Sequence, residues 1–402
     1  MITSILIVHQ HLIFGGAEKY TLNLANSLAD KNITVTLITG DGPLSKYVSK
    51  KVNHYIMPIS RLPAVRARAE NVIYKIAKKH KVQIIHTQCR ASMLNSQRAR
   101  TKLNIPLISH EHHMYFPHEY AQAVEELQNG ADKITTSGPY TTKSLIKHGL
   151  RMSITSIING IDVTNIHPIS QKERADARTR LKLDKDDKVV LCISRLEPGK
   201  GIDKLVLGFI QVAQKIPQAK LIIVGNDATN ETLSLILHVR KQYKLDDKVF
   251  YYPGEYDIRK YHAAADVFCY PALAKGMAVV EAMAAGLPVV GKKTIRKPLV
   301  VVDQVSGLMT KPSARFPIDP DQIAEKLDYL LERPLISRSM GKLGRQKILR
   351  EFTLPRVIAE VLQVYADTLG AHSALNIASG KTNAPMLIAL QKDQAMHSYE
   401  SL

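Results

Sequence analysis

Cysteine is scarce in this sequence, and long apolar runs are missing from it. The three cysteines, Cys89, Cys192 and Cys269, stand in or beside apolar strand-like runs and show no metal-ligand or redox spacing. We therefore expect reduced core thiols in a cytosolic protein rather than a disulfide framework. No apolar run approaches the roughly 20 residues that a membrane-spanning helix needs. The first apolar run contains two histidines and lacks a basic leader, which predicts a buried strand and not a signal peptide.

Acidic residues are too few to balance the basic ones. Lys and Arg number 55 against 36 Asp and Glu, which gives a formal net charge of +19 at pH 7. The excess extends over the whole chain and is denser in its first 170 residues. A basic protein attracts polyanions, but no motif with the spacing of a nucleic-acid-binding module occurs. We expect an anionic membrane surface or an anionic acceptor as a partner, and no nucleic acid.

What the sequence does contain is a repeated alternation of strand and helix patterns over 402 residues, 45% of them hydrophobic. One series runs from Ile5 to Ile158, and a second begins at Lys188. This alternation predicts an α/β protein with parallel sheets covered on both faces. We expect a first domain over 1–165, a polar linker with a short helix over 166–187, a second domain over 188–353, a final helix over 354–369 that crosses back to the first domain, and a loosely ordered tail over 370–402.

The stretch from Tyr270 to Val290 is the most informative one. It predicts a buried strand, a loop with Gly276, a helix from Ala278 to Ala285, and a left-handed glycine that ends the helix. This order places Glu281 in the first turn of a helix at the sheet edge where ligands bind. An acid there complements the helix dipole, a contribution of roughly 0.3–1 kcal/mol. Alternatively, its carboxylate accepts two hydroxyls of a ribose or sugar.

Two other loops join a strand to a helix in a way that suits a phosphate. Gly15 and Gly16 follow the first strand, and glycines there permit a tight turn and a close approach of backbone N–H groups to a phosphate. Arg195 and Lys200 stand on the loop after a later strand, where two cations near a helix N-terminus would bind a diphosphate. A simple turn and an ordinary basic loop are the alternatives.

The segment 61–81 carries seven Lys and Arg residues and an apolar stripe of Val72, Ile73 and Ile76 at helical spacing. It is either a helix with a solvated basic face or a helix that lies against an anionic membrane. We weigh the two alternatives equally.

Three histidines, His110, His112 and His113, cluster at the end of a predicted strand. Adjacent side chains at a strand end do not easily converge on one ion, and no distant Cys or carboxylate is spaced to help them. We therefore expect no metal site.

These stretches together resemble the GT-B glycosyltransferases of family four, which are retaining enzymes that use nucleotide sugars. The resemblance rests on the segment EAMAAGLPVV at 281–290, on the run Gly15-Gly16-Ala17-Glu18, on Arg195 and Lys200, and on NGID at 159–162. It covers residues 2–365 approximately and is strongest from 188 to 290. It implies an α/β protein of the GT-B fold, in which two Rossmann-like, doubly wound parallel-sheet domains face a cleft.

The resemblance also implies roles for particular residues. Arg195 and Lys200 would contact the donor phosphates, and Glu281 would hold the ribose. A histidine at the strand end would face the donor sugar and the reaction centre; distance along the chain favours His112, with His110 and His113 as alternatives. Backbone near Gly15 and Gly16 would contact the diphosphate or the acceptor. The remaining donor-binding positions implied are Glu255 and Tyr256, whose loop would hold the base, and Gly276, Met277 and Ala278 at the start of the helix.

The expected activity is transfer of a hexosyl or N-acetylhexosaminyl group, with retention and without a metal cofactor. The donor would be a nucleoside diphosphate sugar, UDP-type by preference. The acceptor would be a saccharide, lipid-linked or part of a cell-envelope glycan such as lipopolysaccharide. The pattern of cysteines favours a cytoplasmic protein, and the basic charge adds contact with the inner face of the membrane as a further expectation.

The sequence departs from the family in two places. Leu273 stands where the family has the first of two glutamates eight positions apart, and residues 291–297 replace a G-G-x-x-E loop with a run of cations. These departures support an alternative, a catalytically weak or inert GT-B protein that binds a glycan or a partner. A sugar epimerase or phosphorylase of the same fold is a third, less favoured alternative.

Overall fold

The computed structural model describes residues 2–112, 115–163, 168–227, 229–273, 276–293, 300–313 and 317–378. These residues form two α/β domains, each with one parallel sheet covered by helices on both faces. The strands are short and apolar; all six residues of the first one, Ser4–His9, are buried. Such runs form buried parallel strands because helices shield both faces of the sheet from water.

The first domain has a seven-stranded sheet with the order β3-β2-β1-β4-β5-β6-β7. Its elements are β1 (Ser4–His9), α1 (Gly16–Ala29), β2 (Thr34–Thr39), β3 (Asn53–Ile56), α2 (Pro63–Lys79), β4 (Ile84–Thr87), α3 (Arg90–Asn95), α4 (Gln97–Leu103), β5 (Leu107–Glu111), α5 (Tyr120–Gly130), β6 (Lys133–Thr136), α6 (Pro139–Lys147) and β7 (Ile154–Ser156).

The second domain has a six-stranded sheet with the order β10-β9-β8-β11-β12-β13. Its elements are α7 (Gln171–Arg180), β8 (Lys188–Ile193), α8 (Ile202–Lys215), β9 (Ala219–Val224), α9 (Glu231–Gln242), β10 (Val249–Tyr252), α10 (Arg259–Ala264), β11 (Val267–Leu273), α11 (Met277–Ala284), β12 (Val289–Lys292), β13 (Gly307–Thr310), α12 (Pro320–Glu332) and α13 (Pro334–Glu351), followed by the long helix α14 (Leu354–Ala378).

Each sheet has a point where the strand order reverses. In the first sheet the chain moves outward from β1 through β2 to β3 and then returns to place β4 on the other side of β1. In the second sheet the same reversal occurs between β8 and β11. A crevice opens at the carboxyl ends of the strands on either side of such a switch point, and ligands of open α/β sheets bind there.

Helix α7 lies in the segment expected to be a linker, but it packs as part of the second domain. Ala177 and Leu181 join the core cluster that contains β8 and β11 residues. Arg174 and Arg178 both form ion pairs with Asp266, at 2.5 and 3.0 Å. The prediction of a linker over 166–187 is therefore wrong for 171–180, because a polar helix can still bury a narrow apolar edge and anchor itself through guanidinium groups.

Helix α14 returns to the first domain. Val357, Val361 and Tyr365 pack in the core cluster of β1 and α1, and the Tyr365 hydroxyl lies 2.7 Å from Nδ1 of the buried His86. The helix runs to Ala378, so its predicted end at 369 is wrong. His372 Nε2 lies 3.0 Å from the carbonyl oxygen of Asn104, one contact that holds this last part. The predicted tail beyond residue 378 lies outside the described residues.

Helix α11 begins at Met277, one residue earlier than predicted, with Gly276 as its N-cap. Gly286 has a φ of +88°, the left-handed conformation expected of a glycine that ends a helix. Glu281 is the fifth residue of the helix and lies in its second turn. The prediction of a first-turn position is therefore wrong, and the helix dipole does not account for this glutamate.

Helix α2 turns its apolar stripe inward. Ile73 and Ile76 are buried in the core cluster of β4 and β5, and Val72 packs against the same cluster. The basic residues Arg68 and Lys75 are exposed. The apolar stripe therefore does not face a membrane, because it packs against the sheet. Within the described ranges, no helix combines the length and apolarity needed to cross a bilayer.

Candidate active site

A cavity of about 680 Å³ lies between the two domains, at the carboxyl edges of both sheets. This is a typical size for a site that encloses a small ligand. Every predicted site residue except Tyr256 contributes to its lining. The lining includes Gly15, Gly16, Lys19, His112 and residues 137–141 of the first domain, and Arg195, Lys200, Glu255, Gly276, Met277, Ala278, Glu281 and Lys292 of the second.

The turn before α1 brings the first domain close to the second. A Cβ atom on Gly16 would lie 3.0 Å from Cγ of Met277, and one on Gly15 would lie 2.1 Å from Oε2 of Glu18. Glycine at these positions lets the Met277 side chain and the Glu18 carboxylate approach the backbone closely, and a larger residue would displace those side chains. The N-terminal N–H groups of α1 and of α11 consequently meet at the same cavity, where they suit an anion.

Lys19 and Glu281 connect the domains. Their Nζ and Oε1 atoms lie 2.9 Å apart, and the side chains are only 18% and 13% exposed. The sequence pattern does not single out Lys19. The sequence did contain one indication of its role. A lysine in the first turn of a helix interacts unfavourably with the helix dipole, so its presence there suggests a function.

Arg195 and Lys200 both face the cavity from the loop between β8 and α8. Gly199 and Gly201, with φ of +84° and +72°, form the turn that carries Lys200. Arg195 is half exposed, and its Nη1 lies 2.9 Å from Oε1 of Glu197. Burial, followed by the nearby Arg195 charge, lowers the pKa of Lys200. The loop therefore presents two cations beside the N-terminus of α11, which is the arrangement a diphosphate needs.

Among the histidines that the structure describes, His112 lines the cavity. Its Nε2 lies 3.0 Å from Oε1 of Gln88, and its ring centroid lies 4.4 Å from that of His110. His110 is fully buried in β5, its Nδ1 lies 2.9 Å from Oγ1 of Thr135, and burial lowers its pKa well below the ordinary value. His113, the remaining alternative, lies outside the described residues. In the described part of the chain, no group of three or more His, Cys, Asp or Glu side chains is placed to hold a metal ion.

The loop after β10 differs from expectation in one residue. Glu255 lines the cavity, although its Oε1 also contacts Lys260 Nζ at 2.9 Å and the Tyr261 hydroxyl at 2.5 Å. Tyr256 stacks on Tyr47 of the first domain, with ring centroids 3.8 Å apart. Tyr256 is not among the residues that line the cavity, and its ring is engaged in this contact between domains. The expected contact of its loop with the base stays a prediction.

Other lining residues were not among the predicted ones. The turn after β6, residues 137–141, forms part of the first-domain wall, and Lys292 lines the second-domain wall at the end of β12. Their position in the sequence could have identified these residues, since the residues after any parallel strand lie at the ligand edge of the sheet. Leu273 ends β11, and its backbone is paired with that of Lys292.

Two family models match the chain, one for each domain. Residues 14–165 match the family described as Glycosyltransferase Family 4, and residues 173–347 match the family described as Glycosyl transferases group 1. The two matches divide the chain where the two sheets divide it.

Curated relatives are similar over part of their length. A GDP-mannose-dependent monoacylated alpha-(1-6)-phosphatidylinositol monomannoside mannosyltransferase of Corynebacterium glutamicum is 28% identical over 58% of this chain and 61% of its own. A D-inositol 3-phosphate glycosyltransferase of Segniliparus rotundus is 31% identical over 46% of this chain and 40% of its own. The alignments thus span less than two thirds of these relatives.

Among solved structures, the Anabaena protein Alr3699/HepE in complex with UDP and glucose superposes with a TM-score of 0.77. It is 20% identical, and the superposition covers 90% of this chain and 99% of that one. At this identity the likeness shows the fold, and it confirms the GT-B architecture expected from the sequence.

Proposed function

We propose that this chain, a glycosyltransferase of the GT-B fold, transfers a glycosyl group from a nucleoside diphosphate sugar to a saccharide acceptor. The observation that carries the proposal is the convergence of two helix N-termini and two cationic side chains on one cavity. The N-termini of α1 and α11 meet there, and Arg195 and Lys200 face the same space. An anionic leaving group is what such an arrangement binds and stabilises.

The second-domain wall of the cavity would neutralise the negative charge that develops on the departing diphosphate. Arg195 and Lys200 supply two positive charges, and the N–H groups at Gly276, Met277 and Ala278 supply a helix N-terminus. Together they would do the electrostatic work that a metal ion does in other transferases. The reaction we propose is therefore independent of a metal cofactor.

Glu281 would hold the ribose of the donor. Only one carboxylate oxygen, Oε1, is engaged by Lys19, so the other can accept a hydroxyl. His112 faces the cavity from the first domain and would support the sugar at the reacting carbon, with retention of configuration. The configuration of the product, read by NMR of the anomeric proton, decides that part of the proposal.

The acceptor would bind against the first-domain wall, at residues 137–141. This wall lies opposite the donor cations and has hydroxyl and backbone groups from Ser137, Tyr140 and Thr141. A saccharide on a lipid or in a cell-envelope glycan is the acceptor class we propose. The mannosyltransferase relative, whose name specifies a phosphatidylinositol mannoside, supports this class.

Contact with an anionic membrane would use the exposed face of α2 rather than its apolar stripe. Arg68, Lys75, Lys78 and Lys79 are exposed on this face. Leu62, just before the helix, is 66% exposed and gives the surface an apolar residue to insert. An exposed basic face with an apolar anchor suits a peripheral protein at the cytoplasmic side of a membrane.

The test is a thermal-shift panel of uridine and guanosine diphosphates and their sugars, with and without chelator. A ligand at a hundred times its Kd stabilises the fold by about 2.7 kcal/mol. We expect one nucleotide to raise the melting temperature, with or without chelator. The increase should be lost in Lys200→Met. It should be kept in the control Lys241→Met, which removes an exposed charge on α9. No shift with any nucleotide would contradict the proposal. A shift without transfer to any saccharide acceptor would favour the inert glycan-binding alternative.

A further inference from the structure

Lys292 lines the cavity at the end of β12, and its side chain has no hydrogen bond or ion pair within the described ranges. The next residue, Lys293, behaves differently, because its Nζ lies 3.5 Å from Oδ2 of Asp303. Successive side chains of a strand point to opposite sides. Lys293 is thus held by an acid, while Lys292 lies in the wall of the cavity.

The position of Lys292 along the sheet edge indicates which part of a donor it would meet. The sheet order β10-β9-β8-β11-β12 places the loop of Glu255 at one end, then the loop of Arg195 and Lys200, then the start of α11, and then Lys292. A donor whose base lies near β10 and whose diphosphate lies at β8 and β11 continues toward β12. Neighbouring strands are about 4.8 Å apart, so a glycosyl group beyond the diphosphate would extend along the sheet edge toward Lys292.

The other charges of the cavity wall already have partners or tasks. Lys19 is paired with Glu281 at 2.9 Å, and Glu255 is in contact with Lys260. Arg195 and Lys200 together balance a diphosphate. The backbone neighbour of Lys292 is Leu273, which brings no carboxylate. A cation without an acid in a partly enclosed wall is unfavourable unless a ligand supplies the anion.

We propose that the glycosyl group of the donor is itself anionic, a hexuronic acid, and that Lys292 binds its carboxylate. This inference rests on the proposed function, whose donor it specifies. Lys292 is then a specificity-determining residue, because a site with a charged partner for one substituent rejects the analogue that lacks it.

The experiment compares donors that share a base and differ only at C6. The probes are UDP-glucuronic acid with UDP-glucose and GDP-mannuronic acid with GDP-mannose, and the measurement is the Kd by calorimetry. We expect the uronate of the bound base to bind about tenfold more tightly than its neutral counterpart. Lys292→Met should abolish this preference by weakening binding of the uronate donor, with the Kd of the neutral donor unchanged. Lys292→Arg should keep the preference. The matched control Lys293→Met removes a charge from the residue just after the strand and should leave the preference intact.

A second variant tests the same charge balance from the neighbouring strand. Leu273→Glu adds a carboxylate on the residue paired with Lys292, so it should shift binding from the uronate toward the neutral hexose. Circular dichroism at matched temperatures shows that each variant is folded. A neutral donor that binds as tightly as its uronate overturns the inference but leaves the proposed function standing.

Two further outcomes also count against the inference. Equal losses for both donors in Lys292→Met would mean that the lysine contacts the diphosphate. A loss of affinity for a phosphorylated saccharide acceptor, with donor binding unchanged, would assign the anion to the acceptor. If none of the four nucleotide sugars binds, the proposed function fails and the inference fails with it.

Discussion

Lys19 of the first domain and Glu281 of the second form an ion pair across the cleft, with Nζ and Oε1 at 2.9 Å. The pair lies in the wall of the cavity that we assign to the donor. The Lys19 ammonium also lies 5.8 Å from the centre of the Tyr256 ring, which in turn stacks on Tyr47. These contacts tie the domains together at the site itself, so domain closure and ligand binding are linked.

Removing the ion pair should loosen the closed arrangement. We expect Lys19→Met to raise the radius of gyration of the unliganded protein, measured by small-angle X-ray scattering, because an attraction between the domains is lost. High salt should act in the same direction on the native protein, since it screens the charges that remain partly exposed. Lys31→Met, an exposed change just after α1, is the control. An unchanged radius in Lys19→Met would show that the pair does not hold the domains together.

The role proposed for Glu281 predicts a dependence on the ribose. Glu281→Gln replaces a charged acceptor with an amide of the same size, and should weaken binding of the nucleoside diphosphate about tenfold. The loss should be much smaller for the 2′,3′-dideoxynucleotide, which offers no hydroxyls to the carboxylate. Calorimetry with both ligands measures it. Equal losses for the two nucleotides would show that Glu281 acts through Lys19 and not through the ribose.

The lowered pKa of Lys200 predicts an alkaline limit to donor binding. Burial and Arg195 make this lysine lose its proton at a lower pH than an exposed lysine does. Nucleotide affinity should therefore fall as the pH rises toward the pKa of Lys200. A bound diphosphate raises this pKa again, because its negative charge stabilises the protonated lysine. Lys200→Arg keeps its charge and should move the fall to higher pH. Titrations from about pH 7 to about pH 10 measure it; identical profiles would assign the effect to another group.

Buried neutral histidines predict acid sensitivity of the fold. Burial lowers the pKa of His86 and of His262 to about 3, and that of His110 well below its ordinary value. The unfolded chain binds protons at these residues below about pH 6.5, whereas the folded chain does not, so stability is lost as the pH falls. Each histidine should cost about 1.4 kcal/mol per pH unit in that window.

Urea unfolding at about pH 7.5 and about pH 5 measures this loss. His262→Leu is the informative variant, because Nε2 of His262 is buried without a hydrogen-bond partner. This variant should reduce the pH dependence of the free energy of unfolding by the contribution of one histidine. Stability that is flat between these two pH values would mean that the buried histidines do take up protons in the folded state.

The basic face of α2 predicts binding to anionic vesicles. Replacing Lys75, Lys78 and Lys79 with Gln should weaken the binding by about 1 kcal/mol per lysine, and added salt should weaken it further. The control replaces three exposed lysines of the second domain, Lys182, Lys185 and Lys241. Sedimentation with phosphatidylserine vesicles is the measurement. Binding that does not weaken as salt rises would rule out the electrostatic account.

The sequence by itself determined the two-domain α/β architecture and most of the residues at its ligand edge. Apolar runs of strand length alternate with helical patterns, and this alternation forces parallel strands whose carboxyl ends share one edge. Gly15, His112, Arg195 and Lys200 each follow a strand. Their place at the ligand edge of each sheet therefore required only the order of the strands within that domain, a property of local pattern and chain topology.

Only the tertiary structure decided which partners these residues have. Lys19 and Glu281 are 262 positions apart and meet because the two domains close on each other. The same closure places Tyr256 on Tyr47, and packing against the sheet turns the apolar stripe of α2 inward. Hydrophobic periodicity identifies the buried face of an element, but it carries no information about the neighbour that covers this face. That neighbour is chosen by the packing of distant segments, because contact energies between such segments depend on their joint arrangement in space.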